Sequence, residues 1–283
     1  MSCAEAPRAG VIGWPIKHSR SPLIHRHWLG ELGVAGSYEP FAIPPGAFAQ
    51  FVAGIGKDGL VGANVTAPHK EAAFAACDRL TSTAEALGAV NTLWREDSAL
   101  CGDNTDVEGF LVNMDEGAPG WDKKSSRAIV VGAGGAARSV VYALASRGLE
   151  RIAVVNRTQA RAEEIASRFG VLAAPFKVLE ELAAADLLVN TTTLGMRGNP
   201  PLEIDLGVLP DHAIVADIVY VPLRTPLIDA ARARGLTAVE GLGMLLHQAA
   251  PAFERWFGRR PVVTPALRRL VEADVLAAIE DKP

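Results

Sequence analysis

AIVVGAGGAAR, residues 128–138, decides the architecture. A β-branched run ends at Gly132, and Gly134 and Ala137 complete the spacing G-x-G-x-x-A at the head of an alanine-rich stretch. The first glycine permits a tight turn, the second lets backbone approach a pyrophosphate, and the small third residue lets helix and strand pack while the helix N-terminus faces the phosphates. A glycine turn that only packs a helix on a sheet is the plainer alternative, and the strand before and helix after argue against it. Downstream, a strand at 151–155, a helix at 158–169, strands at 186–190 and 213–217 and a helix at 226–234 continue the rhythm of a Rossmann-type doubly wound sheet.

The second strand of such a unit sets the choice of dinucleotide. An NAD site places an acid there, about 20 residues past the first glycine, for the ribose 2′-hydroxyl. Here the place belongs to Asn156, 156 − 132 = 24 residues on, followed by Arg157, Thr158 and Arg161. Guanidinium groups stay charged and grip phosphate oxygens in a fork, so NADP is favoured. The competing reading makes Arg157 and Arg161 a solvated helix face with Glu163 and Glu164.

Toward the N-terminus, apolar runs at 9–13, 38–43 and 60–65 read as strands, and 25–33, 46–56 and 70–80 carry helical spacing between them. This is a second α/β unit with a mainly parallel sheet. A polar patch at 115–127 marks a junction, and from Gly241 onward only helical patterns appear, at 243–257 and 265–280. The closing helices are expected to pack back onto an earlier unit, which makes that unit a discontinuous substrate domain, 1–108 with 241–283, beside a nucleotide-binding domain, 109–240, with a cleft between them.

Composition narrows the classes further. Across 283 residues, 28 basic against 32 acidic side chains give a net charge of −4. That leaves no field suited to nucleic acid or an anionic membrane. Cys3, Cys77 and Cys101 are too few and scattered for a disulfide framework. No signal segment is read at MSCAEAPRAG, and the longest apolar candidate, Ala128 to Leu149, is broken by Arg138, Arg147 and four glycines. A cytoplasmic location is expected.

The first unit is rich in uncharged polar clusters. Ser19 and Ser21 follow its first strand; Asn64, Thr66 and Lys70 follow another; Asn91 and then Asn104, Thr105 and Asp106 come later. In an open α/β sheet such loops gather beyond the carboxyl ends of the strands, where hydroxyls and amides suit a polyhydroxylated substrate and two serines suit its carboxylate. Each has a modest alternative: Ser21 before Pro22 as a helix N-cap, Asn64 and Thr66 as turn residues, Asn104 to Asp106 as an Asx turn. Lys70 and Asp106 are the more pointed pair, because a lysine opening a helix opposes the dipole and is eased by a carboxylate. His18, His25 and His69 lack metal-ligand spacing and read as packing or loop-ordering residues. Met196, Met244 and the cysteines read as core.

Eight ordered motifs give these residues a context: G-x-P-I-x-H-S-x-S-P-x-x-H at 13–25, N-V-T-x-P-x-K at 64–70, A-V-N-T at 89–92, G-x-N-T-D at 102–106, G-A-G-G-A-A-R at 132–138, N-R-T at 156–158, N-T-T-x-x-G-M at 190–196 and G-M-L-x-x-Q at 243–248. With them the chain resembles the shikimate dehydrogenase family from end to end. The resemblance implies NADPH-linked reduction of 3-dehydroshikimate to shikimate, on the route to chorismate and the aromatic amino acids. It implies Lys70 and Asp106 as the catalytic dyad, Ser19 and Ser21 on the carboxylate, and Asn64, Thr66, Asn91, Tyr220 and Gln248 around the ring hydroxyls. It further implies Gly132, Gly134, Gly135, Ala136 and Ala137 at the pyrophosphate, Asn156, Arg157, Thr158 and Arg161 at the adenosine phosphate, and Thr191, Ile218 and Gly241 along the rest of the cofactor, in a monomer or homodimer. Arg26 departs from the family's usual asparagine. A quinate-using member, a paralogue acting on an amino-substituted ring and a non-catalytic sensor remain the alternatives; the missing acid at Asn156 leans away from the first and the intact dyad from the last.

Overall fold

The computed structural model describes residues 6–175 and 183–280; Cys3 lies outside them. By contacts the chain divides into two compact units, residues 1–106 with 246–271, and 107–245 with 272–283.

The first unit runs β1 (Arg8–Gly13), α1 (Ser21–Glu31), β2 (Ser37–Ala42), α2 (Phe48–Val52), β3 (Leu60–Val65), α3 (Lys70–Ala76), β4 (Arg79–Leu80), α4 (Ser82–Leu87), β5 (Thr92–Glu96) and β6 (Ala99–Asp103). Its six strands lie in the order β2-β1-β3-β5-β6-β4. Only β5 runs against its neighbours, so the sheet is mainly parallel with one reversed strand. The reversal comes from a tight β5–β6 hairpin that the sequence reading did not resolve, in which Asp97 takes a left-handed backbone at φ 55. Ile12, Val65, Ala63, Leu93 and Leu100 fill the core beneath α2 and α3.

Two expected helices are shorter than the pattern suggested. The 46–56 stretch forms a 3-10 turn at Pro45–Ala47 and then only α2. The 70–80 stretch leaves the helix at Cys77, whose backbone is extended, because Asp78 accepts the Leu100 N–H at 2.7 Å and Arg79–Leu80 pair with β6. Sheet pairing overrides helical spacing there.

The second unit continues α5 (Asp106–Gly117), whose first residue belongs to the first unit, α6 (Trp121–Lys124), β7 (Arg127–Val131), α7 (Gly135–Ser146), β8 (Arg151–Val155), α8 (Gln159–Phe169), β9 (Leu172–Ala174), β10 (Leu187–Asn190), β11 (Ile214–Asp217), α9 (Pro226–Ala233) and β12 (Thr237–Val239). All its strands are parallel, in the order β12-β11-β10-β7-β8-β9. The order reverses between β7 and β10, which is where doubly wound sheets receive ligands. Continuous apolar runs such as Ala128 to Val131 are buried throughout, as strands covered on both faces require.

The closing helices are α10 (Leu242–His247), α11 (Ala249–Phe257) and α12 (Pro265–Glu280). The contact division breaks at 106/107 and 245/246, against expected boundaries at 108 and 241, and α12 is divided. Its end groups with the second unit, where Arg197 donates to the carbonyls of Ala278 and Ile279 at 2.5 and 2.8 Å. Met196 is 37% exposed rather than core, because it stands in a turn after Gly195, at φ +84; Met244 and Cys101 are buried. Among the described residues no helix is long and apolar enough to cross a membrane.

Candidate active site

Gly13 ends β1 so close to the next strand that a Cβ there would stand 2.7 Å from both Ile16 and the methyl of Thr66. The chain then turns through Ser19, whose N–H donates to the Ile16 carbonyl at 3.0 Å, into α1. Ser21 is not the N-cap: it is the first residue of the helix, Arg20 holds the cap position, and Ser19 Oγ accepts the Ser21 N–H at 3.4 Å. Both serines therefore sit at one helix N-terminus.

Lys70 opens α3 and Asp106 opens α5, and the lysine ammonium donates to Asp106 Oδ2 in a part-buried ion pair. The other carboxylate oxygen accepts from Asn91 Nδ2 at 2.8 Å. Asn91 is itself fixed: its Oδ1 accepts the Thr105 N–H at 2.9 Å and the Thr92 hydroxyl at 2.9 Å. Thr105 Oγ1 in turn donates to the Gln248 carbonyl at 2.8 Å, which ties the start of α11 to this loop. Asn104 Oδ1 accepts the Asp106 N–H at 3.1 Å, an Asx turn that aims Asp106 at the lysine.

Asn64, on β3, joins the same web. Its Nδ2 donates to the Asn91 carbonyl and to Thr92 Oγ1 at 3.2 and 3.1 Å, and its Oδ1 accepts the Tyr38 hydroxyl at 2.6 Å. Asn64 thus keeps one acceptor lone pair for a ligand. Tyr38 was not anticipated from sequence. It also bonds Ser21, and burial pushes its hydroxyl's pKa well up, so it remains a neutral donor. Thr66, half-buried, Gln248, half-buried, and the serine pair complete the polar set of the first unit.

Two of the three motif histidines behave as packing groups, while His18 is exposed. His25 is buried and stacked on Tyr38, with ring centroids 3.9 Å apart, while His69 bonds the Ile43 carbonyl at 2.7 Å and stacks on Phe48. Arg26 donates to the Tyr38 carbonyl at 2.9 Å, so its difference from the family's asparagine bears on packing around β2.

In the second unit Gly132 adopts φ +115, and a Cβ there would stand 2.5 Å from the hydroxyl of Thr191 across the β7–β10 switch point. Gly134 and Gly135 are exposed, with nothing within 4 Å of an added Cβ, and α7 has no side-chain cap and no acid in its first turn. Ala136 is half-buried, and Ala137 is fully buried against the sheet. This uncovered helix start is a cradle of the kind a pyrophosphate fills. At the end of β8, Asn156 Nδ2 donates to the Thr158 carbonyl at 2.9 Å, and Arg157, Thr158 and Arg161 are exposed. Neither arginine has an ion-pair partner among the described residues. Glu164, the acid that could have neutralised them, pairs with Arg138 at 3.0 Å. The residues fit a 2′-phosphorylated dinucleotide.

Thr191 Oγ1 donates to the Val131 carbonyl at 2.7 Å. Ile218 and Tyr220 follow β11, both half-buried. Gly241 meets the backbone of Ile218 and Val219, and a Cβ would stand 2.5 Å from the Ile218 carbonyl. The sequence-derived residues therefore form two clusters, one in each unit.

Family models match along the chain. Residues 11–93 match the shikimate dehydrogenase substrate binding domain, 118–195 match shikimate / quinate 5-dehydrogenase, and 241–270 match the shikimate 5′-dehydrogenase C-terminal domain. A shikimate dehydrogenase (NADP(+)) of Methylocella silvestris is 57% identical over 282 residues, 98% of this chain and 99% of the relative. The crystal structure of shikimate 5-dehydrogenase from Thermus thermophilus in complex with NADP(H) and shikimate has a TM-score of 0.85 and 37% identity, covering 95% of this chain and 99% of that one. Quinate dehydrogenase from Corynebacterium glutamicum in complex with NAD gives a TM-score of 0.87 at 31% identity, covering 95% and 100%.

Proposed function

The chain belongs to the shikimate dehydrogenase family, and from that premise we infer how its own residues carry the chemistry. It is an NADP-dependent oxidoreductase that reversibly reduces 3-dehydroshikimate to shikimate, a step toward chorismate and the aromatic amino acids. The observation that carries the assignment of roles is the Lys70–Asp106 ion pair, embedded in a web of hydrogen bonds.

NADPH, when bound, supplies the hydride that reduces the C3 carbonyl. Lys70 holds the oxygen at C3 and gives it a proton as negative charge develops there. Asp106 has two tasks: it keeps the ammonium in place through Oδ2 and offers acceptor capacity to a ring hydroxyl. Asn91, whose amide is fixed on Asp106 and Thr105, prevents the carboxylate from turning away. Ser19 and Ser21 bind the substrate carboxylate with hydroxyl donors at the start of α1. Asn64, Thr66, Tyr220 and Gln248 bond the ring hydroxyls. Gly132 to Ala137 seat the pyrophosphate; Asn156, Arg157, Thr158 and Arg161 hold the adenosine and its 2′-phosphate; Thr191, Ile218 and Gly241 line the path toward the nicotinamide. Substrate and cofactor are the partners of this chain, with a monomer or homodimer as its state.

The test is nicotinamide absorbance with shikimate and with quinate, each paired with NADP and with NAD. Turnover confined largely to shikimate with NADP is the expected outcome. Comparable rates with quinate would place the chain with the broader-specificity members, and comparable rates with NAD would remove Arg157 and Arg161 as the source of cofactor choice.

A further inference from the structure

Three buried polar side chains of the second unit have no part in the roles assigned above. Asn190 ends β10, Asp217 ends β11, and the two strands pair with these residues opposite each other. Thr225 opens α9 as its N-cap. All three are buried, Asp217 with 2% of its surface exposed.

Their hydrogen bonds close a circuit between two loops. Asn190 Nδ2 donates to Asp217 Oδ1 at 3.0 Å and to the Leu194 carbonyl at 3.1 Å. Asn190 Oδ1 accepts the N–H and the hydroxyl of Thr192 at 3.0 and 2.7 Å. Asp217 Oδ1 also accepts the Val219 N–H at 3.0 Å, and Oδ2 accepts the Thr225 hydroxyl at 2.7 Å. Thr225 Oγ1 receives the Ile228 N–H at 3.4 Å, which leaves its proton for Asp217.

The Asp217 carboxyl accepts in each of these contacts, and no lysine or arginine pairs with it among the described residues. Burial raises its pKa, and the hydrogen bonds from Thr225, Val219 and Asn190 work against that rise. An apolar set of similar volume would pack these strands at less electrostatic cost. What an apolar set would not do is fix the direction in which each loop leaves its strand, since hydrogen bonds are directional and packing is not. The loop after β10 begins with Thr191, and the loop after β11 carries Ile218 and Tyr220.

We propose that Asp217, Asn190 and Thr225 form a positioning network that sets the two loops carrying Thr191, Ile218 and Tyr220, and so the seat of the nicotinamide half of NADPH. The proposal rests on the cofactor roles given to Thr191 and Ile218, and on the ring-hydroxyl role given to Tyr220, under the proposed function. The network's members are positioning residues, because they act through the loops. The adenosine half, held by the glycine loop and by Asn156 to Arg161, lies outside their reach of hydrogen bonds.

That asymmetry supplies the test. Wild-type chain, Asp217→Asn, Thr225→Val and Thr225→Ser are titrated by calorimetry with NADPH and with 2′,5′-ADP, which has the adenosine phosphates and no nicotinamide. Asp217→Asn and Thr225→Val are expected to weaken NADPH about tenfold, the effect of one buried hydrogen bond left unmade. Their affinity for 2′,5′-ADP should match wild type, and Thr225→Ser, which keeps the hydroxyl, should restore NADPH binding. Unchanged NADPH affinity in Thr225→Val, or equal weakening of both ligands, overturns the network's role. Thr225→Val and Thr225→Ser carry the test alone where Asp217→Asn does not fold. A wild-type chain that fails to bind NADPH sinks the functional reading itself, and the proposal with it; a wild-type chain that binds beside unaffected variants sinks only the network.

Discussion

The two clusters of proposed site residues are built on opposite plans. In the first unit Lys70, Asp106, Asn91, Thr105 and Asn64 spend most of their hydrogen-bonding capacity on one another, mostly out of solvent. In the second, Gly134, Gly135, Arg157 and Arg161 face solvent, and the arginines have no ion-pair partner among the described residues. The difference follows from what each must bind. Catalytic groups gain from being held in place before the substrate arrives, because donors and charges already oriented need no reorganisation as the reaction proceeds. A phosphate-binding surface gains from groups left open, since a dianion brings its own strong acceptors to exposed guanidinium forks.

The largest effects should come from breaking the interlinked cluster. Lys70→Ala removes the proposed proton donor, and Asp106→Asn removes the charge that holds it while leaving the shape. Each is expected to lower kcat by about two to four orders of magnitude, the range of general acid–base contributions, with shikimate binding retained by calorimetry. Near-normal turnover in both would dissolve the distinction between a prewired and an open cluster, because the wired residues would then serve the fold alone. Thr105→Val is milder: it removes the hydroxyl between Asn91 and the Gln248 carbonyl, and kcat/KM should drop about tenfold, as for a single buried hydrogen bond. An unchanged kcat/KM would show that Asn91 holds Asp106 without that support.

The open cluster should fail in a different way. With Arg157 and Arg161 both changed to alanine, kcat/KM with NADP is expected to drop about a hundredfold, two charge-assisted hydrogen bonds being lost, while kcat/KM with NAD stays near wild type. The melting temperature should not move, since exposed arginines without partners contribute little to the folded state. A loss shared equally by NADP and NAD would show that these arginines shape the loop instead of reading the phosphate.

The same contrast explains which parts were legible in sequence. The glycine loop could be read because its residues act locally: a turn, a close approach and a bare helix start need glycine or alanine at fixed spacing, as Gly132, Gly134 and Ala137 show. The all-buried strands around it carry unbroken apolar runs for the same direct reason. The web in the first unit is nonlocal. Tyr38 lies on β2, far in sequence from Asn64 and Ser21, and a single tyrosine on a strand gives no periodic signal of the bonds it makes. Asp217, Asn190 and Thr225 were missed likewise, since their pairing exists only once β10 and β11 lie side by side. The early end of α3 has the same origin: a strand pairing at Arg79–Leu80 draws the chain out of a helix that its own residues would extend. Resemblance suggested roles for Asn91 and Lys70, and the bonds that hold them came from the fold.

The last effect, on stability alone, concerns a member of the first unit that breaks its rule. His25 is wholly buried against Tyr38, Trp28, Phe253 and Trp256, and neither ring nitrogen has a hydrogen-bond partner among the described residues. Burial lowers its pKa from 6.5 to about 3. A folded-state pKa below the unfolded one means that the unfolded chain binds the extra proton first. The stability His25 contributes is therefore complete above pH 6.5 and is lost as pH falls from there toward 3, at up to about 1.4 kcal/mol per pH unit. His25→Phe keeps a ring in the stack and has no proton to bind. Urea unfolding measured from pH 7 to 5, above the range where carboxylates titrate, should show the wild type losing stability relative to the variant, with the gap opening as pH falls. Parallel curves would mean that the imidazole finds a partner or a water in solution, and His25 would then follow the rule of its unit.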